Sequence, residues 1–180
     1  MRNVRTPLLC LAAALALAAT GCGYALAGRG NSLPTTIVTI GIPAFINHST
    51  TPDIDRVLTA AVTEEWQGKG KYRVVPDATG VDAVLRGTVI SVVLQPVAFT
   101  TDNQVVKNII VTTASIEFRE VATDKVLWAN PAFQVRDEYD VTTAVSATDA
   151  NALFTQNQNA MARLAKVFAR SVVTSIFEAF

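Results

Sequence analysis

The chain has 180 residues, 15 basic and 15 acidic side chains, and hydrophobic residues in half of its positions. That length suits one domain with a moderate core and a processed leader, and leaves little room for a second domain. The charge balance supplies no long-range field of one sign, which argues against a DNA- or RNA-binding function.

Residues 1–21 read as an export signal. Arg2 and Arg5 form a short basic start, and Pro7 to Ala19 is a Leu/Ala run with one Cys that ends in small residues. The run is about 13 residues, short of the roughly 20 that cross a bilayer as a helix, so cleavage is expected in preference to a span. Removing it takes two arginines and no acid, leaving the remainder slightly acidic. Cys10 leaves with the leader; Cys22 alone forms no intrachain disulfide and no metal cage.

Ala19-Thr20-Gly21-Cys22 resembles a bacterial lipobox, with Ala where Leu is more common at its first position. The resemblance implies cleavage between Gly21 and Cys22 and acylation of Cys22. Each buried methylene contributes about 0.8 kcal/mol, so several acyl chains anchor a protein stably where one does not. Gly23, not Asp, follows the cysteine, which by the same resemblance directs the protein to the outer membrane with its domain on the periplasmic side. Ordinary secretion with a free cysteine near the new terminus is the alternative.

Residues 22–34 are expected to be a lipidated tether, rich in glycine and without apolar period, and 35–180 a single domain. The domain opens with a β-branched strand at "TTIVTIGIPAF", where Val38, Ile40 and Ile42 alternate with Ile37, Thr39 and Gly41 and Pro43 ends it or sets it at an edge. "NHSTTPDIDRVLTAAVTEEWQGKG" predicts a helix capped by Thr51, with Pro52 first, Asp53 and Asp55 at the positive end, and Gly68 and Gly70 as the stop. Ile54, Leu58, Ala61, Val62 and Trp66 share its sheet-facing side.

Three or four strands follow with no helix between them. "KYRVV" is short, and "DAVLRGTVISVVLQ" is long, with Val84, Ile90, Val92 and Leu94 in alternation. "VVKNIIVTTASIEFRE" sets Ile110, Ala114, Ile116 and Phe118 against Thr113, Ser115, Glu117 and Arg119, and "KVLWANPAFQVRDEY" completes the run. Short links predict antiparallel pairing. From about Asp149 to Phe180 a second helix carries the stripe Met161, Leu164, Phe168, Val172 and Ile176, with Arg163, Lys166 and Arg170 on a solvated face. The expected fold is α+β: a two-layer sandwich of two amphipathic helices on one face of a mostly antiparallel sheet of four to five strands.

"CGYALAGRGNSLP", "TIGIPAFINHSTTPDIDRVLTAAVTEEWQGKGKYRVV" and "DAVLRGTV", in this order, resemble the LPS-assembly lipoprotein family, LptE. The match covers Cys22 to about Val92, and the later elements by pattern only. The resemblance implies a plug within the lumen of the outer-membrane β-barrel LptD that supports its assembly and assists lipopolysaccharide delivery to the outer leaflet. It implies no cofactor, no metal and no catalytic residue. Cys22 matches the family's acylated cysteine. A phosphorylated glycolipid needs cations, which makes Lys107, Arg119 and Arg136 candidate contacts, against the reading of each as plain surface charge. In "QPVAFTTDNQ", Phe99 is a candidate barrel contact or a side chain folded back over the core.

Two other classes compete. An enzyme would build on His48, the only histidine, beside Ser49 and near Asp53 and Asp55, but a helix start accounts for these residues. A periplasm-facing lipoprotein adaptor of another lipid-transport or secretion complex fits the same elements, because fold does not fix function.

Overall fold

A computed structural model describes residues 33–140 and 150–180. The leader, Cys22 and the tether up to residue 32 lie outside the described residues. Eight elements follow in order: β1 (Thr39–Gly41), β2 (Ile46–Asn47), α1 (Ile54–Gly68), β3 (Arg73–Val75), β4 (Ala83–Phe99), β5 (Val105–Glu120), β6 (Val126–Asp140) and α2 (Ala150–Phe177). They form one open sheet in the order β3-β1-β4-β5-β6, with β2 also paired to β4, and two helices pack against it. This is the expected α+β sandwich, with one correction of detail: the sheet is mixed. β4, β5 and β6 are antiparallel, whereas β1 is parallel to β3 and β4, and β2 is parallel to β4.

The parallel part exists because its strands are so short. Parallel neighbours need a crossover, which α1 supplies between β1 and β3. The return from β3 to β4 takes only the loop 76–82, which crosses directly over Gly41. A Cβ at Gly41 would collide with the Asp77 carbonyl oxygen, so this position has room for glycine alone. The Asp82 carboxylate closes the same corner by accepting from the backbone N–H groups of Val38 and Thr39, at 2.9 and 2.8 Å. Those two bonds hold its pKa below the ordinary carboxylate value.

Period sets the core. Ile54, Leu58, Val62 and Trp66 of α1 are buried, as are Leu164, Phe168, Val172 and Ile176 of α2. Along β5, Ile110, Thr112, Ala114, Ile116 and Phe118 face the helices and alternate with half-exposed residues. Trp66 stacks on Phe118 and meets Tyr72 and Phe177 edge-on or tilted, and Phe168 meets Phe133 edge-to-face at 5.7 Å. Packing already begins at Leu33 and Ile37, both buried in this core, so Leu33, in the segment read as tether, belongs to the domain's interior.

The start of α1 departs from expectation. Thr51 does not cap it; Asp53 holds the cap position in the left-handed region (φ 57°) with no side-chain cap bond. Asn47, Ser49 and Thr51 instead bond one another: the Ser49 N–H donates to Asn47 Oδ1 at 2.9 Å, and Asn47 Nδ2 donates to the Thr51 carbonyl at 2.8 Å. Local side-chain to backbone bonds offered a loop solution that competed with the helix.

Candidate functional site on the helix-free face

Directly opposed residues of antiparallel strands share a face, so register maps the side of the sheet without helices. On β5 it carries Lys107, Ile109, Val111, Thr113, Ser115, Glu117 and Arg119. Opposite them on β6 stand Asp140, Glu138, Arg136 and Gln134, and on β4 Gln95, Val93, Ser91 and, beyond a bulge, Arg86. All three cations predicted as lipid contacts therefore lie on one face. They do not form one cluster: at about 3.4 Å per residue, Lys107 and Arg119 are about 40 Å apart along β5, and Arg136 pairs with Val111 between them.

Each cation sits in a different field. Lys107 lies between two carboxylates, 3.7 Å from Glu138 and 3.8 Å from Asp140, so the distal end of the face is locally acidic. Arg119 is held at 2.9 Å by both Glu117 and Asp124 and also donates to the Asp124 backbone carbonyl, which fastens the β5–β6 turn where Asp124 has φ 53°. The hydrogen bonds it donates to Glu117 and then to Asp124 raise the pKa of Arg119 further above its already high value. The same contact lowers that of Glu117, with Arg86 adding a smaller effect. Arg136 is exposed and has no ion pair among the described residues; in register it stands in a row with Val111 and Val93. Among the described residues it is a cation without an ion pair, beside Val111 across the strand and between Gln134 and Glu138 along its own, and a cation next to an apolar row suits an anionic amphiphile. Arg86, on the same face opposite Glu117, was not anticipated; the signal was its place one residue before Gly87 in the alternation of β4.

Phe99 is the last residue of β4, paired with Val105, and not part of the turn; only Thr100 to Gln104 form the link. The residue is 53 % exposed, so it is presented outward and not folded over the core. The alternation expected for β4 also changes. A bulge at Ile90 shifts the phase: Val84 lies on the helix-free face under the 76–82 loop, whereas Val92 and Leu94 lie on the helix side. The structure thus breaks the set Val84, Ile90, Val92 and Leu94, which the sequence suggested as one face.

Around His48 the groups have structural duties. Its own backbone N–H donates to the Val89 carbonyl at 2.9 Å, and Asn47 and Ser49 build the turn. Among the described residues no cluster of His, Cys, Asp and Glu is placed to hold a metal, and no helix is long and apolar enough to cross a membrane.

The family model for LptE, described as lipopolysaccharide-assembly, matches residues 37–176, from the first buried isoleucine of the domain to the last buried one of α2. The chain belongs to the LptE family. The match covers the six described strands, α1, and α2 as far as Ile176, beyond the N-terminal half that carried the motif resemblance. LptE proteins are a non-enzymatic lipoprotein family of lipopolysaccharide assembly. Solved structures with a similar chain path include a lipoprotein from Caulobacter crescentus (12 % identity, 74 % of this chain and 88 % of that one, TM-score 0.49). Rare lipoprotein B from Shewanella oneidensis (14 %, 76 % and 95 %, 0.45) and a minor lipoprotein from Acinetobacter baumannii (11 %, 81 % and 93 %, 0.44) are similar at the same level. A search of curated proteins returns no match.

Proposed function

We propose that this LptE-family protein is an outer-membrane lipoprotein, anchored through acylated Cys22, that plugs an LptD-like β-barrel, supports its assembly and assists delivery of lipopolysaccharide to the outer leaflet. Membership of the LptE family over residues 37–176 carries the reading. The helix-free face supports it: Ser91, Gln95, Thr113, Ser115 and Gln134 offer a polar wall of the kind that a polar barrel lumen accepts. Residues 1–21 are then the leader and 22–34 the anchor segment. Arg136 is the preferred lipopolysaccharide contact, with Lys107 and Arg119 secondary because carboxylates already pair them. Phe99, exposed at the tip of β4, is the preferred barrel contact.

The deciding experiment is a pull-down through a tag at Phe180 from native membranes in mild detergent. A large β-barrel protein should co-purify in stoichiometric amount, and its absence overturns the reading. For the lipid, Arg136→Glu should weaken lipopolysaccharide binding by about tenfold, the equivalent of one charge-assisted hydrogen bond, and more than Arg119→Glu does.

A further inference from the structure

Among the described residues the outer side of β6 and the distal half of β4 pair with no further strand, and the two are built differently. The outer edge of β6 carries Arg136, Asp137, Glu138 and Asp140 in close succession, and a bulge at Pro131 where Ser115 alone opposes two residues. Charge, proline and bulge are the features that stop a sheet edge from accepting another strand. β4 differs. β1 and β2 cover its edge only as far as Val89, and no strand among the described residues pairs with it on that side from Ile90 onward. From Gly87 to Thr101 it has no ionisable side chain. Bulges at Ile90 and Val97 bracket the run Ser91 to Gln95, which pairs in unbroken register with Thr113 to Ile109 and so presents a regular backbone edge.

Large apolar side chains concentrate on this stretch. Ile90, Val93, Leu94, Val97 and Phe99 are 44, 42, 51, 45 and 53 % exposed. Val93 points to the helix-free face and Leu94 to the helix side, so a covering surface must reach both sides of the sheet at once. Neither a helix laid on one face nor a lipid headgroup does that. A strand added to the edge does, and it also satisfies the backbone N–H and C=O groups that point outward from every second residue.

We propose that the Ile90–Gln95 edge of β4 is a docking surface for one extended, uncharged strand of a partner protein, which continues the row that β2 begins. The partner strand alternates apolar residues on its two faces to cover Val93 on one side and Leu94 on the other. Pro96 and the bulge at Val97 end the pairing and limit it to about six residues. The inference goes beyond the proposed function, from which it takes only the existence of a protein partner.

The test places a benzophenone amino acid at Ser91, Val93 or Leu94, one at a time, in the full-length protein in its native membrane. Val121 and Val126, exposed apolar residues at the other end of the sheet, serve as controls. The expected result is a protein adduct from each edge position and none from the controls. Mass spectrometry should place the attachments on one extended stretch, shifted by two residues when the probe moves from Ser91 to Val93. No adduct, an adduct to a second copy of this chain or to lipid alone, or attachments that do not move in register overturn the proposal. If the substituted chains fail to accumulate, amide hydrogen exchange of the unmodified protein in the detergent extract decides instead. Every second amide from 91 to 95 should be protected relative to the free chain, and equal exchange overturns the proposal. A registered adduct to a protein that is not a barrel rejects the barrel reading and keeps the strand. A co-purified barrel with no edge adduct does the reverse.

Discussion

Single residues at the crossing of β1, β3 and β4 decide whether the mixed part of the sheet closes. Gly87 lies on the helix side of β4 beneath the Phe45 ring; a Cβ there would stand 2.6 Å from two ring carbons. Phe45 cannot yield freely, since its N–H donates to Thr59 Oγ1 at 3.0 Å and Thr59 donates in turn to the Asp55 carbonyl at 2.6 Å. Gly87→Ala should therefore destabilise by about 1–3 kcal/mol through overpacking, and Phe45→Leu in the same chain should recover part of that loss in a urea double-mutant cycle. Asp82 gives a pH-dependent counterpart. Its folded pKa lies below the unfolded one, so its contribution is fully present above pH about 4 and is lost as pH falls through the folded value. Asp82→Asn should cost about 1 kcal/mol at pH 7, and the gap from the parent should close towards pH 2.

The elements gain their stability from the face they share, which makes α2 the most sensitive. Phe168 is fully buried against the sheet, edge-to-face with Phe133 of β6, and it sits within the helix away from its ends, where no fraying relieves a cavity. Phe168→Ala should cost about 3–5 kcal/mol, measured by chemical denaturation with an unchanged slope. On the solvated side Arg163 reaches Asp137 at 3.7 Å while 56 % of its side chain is exposed, so Arg163→Ala should shift stability by less than about 0.5 kcal/mol. For β4, the same alternation that placed β5 correctly misplaced half a strand. One extra residue at Ile90 changes which parity faces the helices, and nothing in "RGTVISVVLQ" marks the bulge, because apolar residues occupy both parities there.

For the whole molecule, the domain begins earlier than its first strand. Leu33 and Ile37 are buried in the common core, and burying each such side chain contributes about 1.5–3 kcal/mol. A chain starting at Asn31 should melt like one starting at Cys22. One starting at Val38 should lose about 3 kcal/mol or more, roughly 10 °C in Tm for a domain of this size, by differential scanning calorimetry. Under the proposed acylation of Cys22, about eleven residues separate the anchor from Leu33, at most about 40 Å of extended chain.

The sequence by itself determined the two helices and their buried stripes, the existence and near-exact limits of β5 and β6, the α+β class, and the motif order that pointed to the LptE family. These are local signals: a period of 3.6 or 2 is written wherever one face is wet and the other dry, and Leu164, Phe168, Val172 and Ile176 carry it as clearly as Ile110, Ala114, Ile116 and Phe118. Tertiary structure alone decided the parallel pairing of β1, β2 and β3, the phase change in β4, and the company each cation keeps. Pairing direction for three-residue strands depends on the path of the loop over Gly41, and Lys107 and Arg136 read alike until register brings acids to the first and a valine to the second, whereas the acids that hold Arg119 stand only two and five residues away in the chain. Contacts between residues far apart in sequence leave no local mark, so the face was legible in the chain and its chemistry was not.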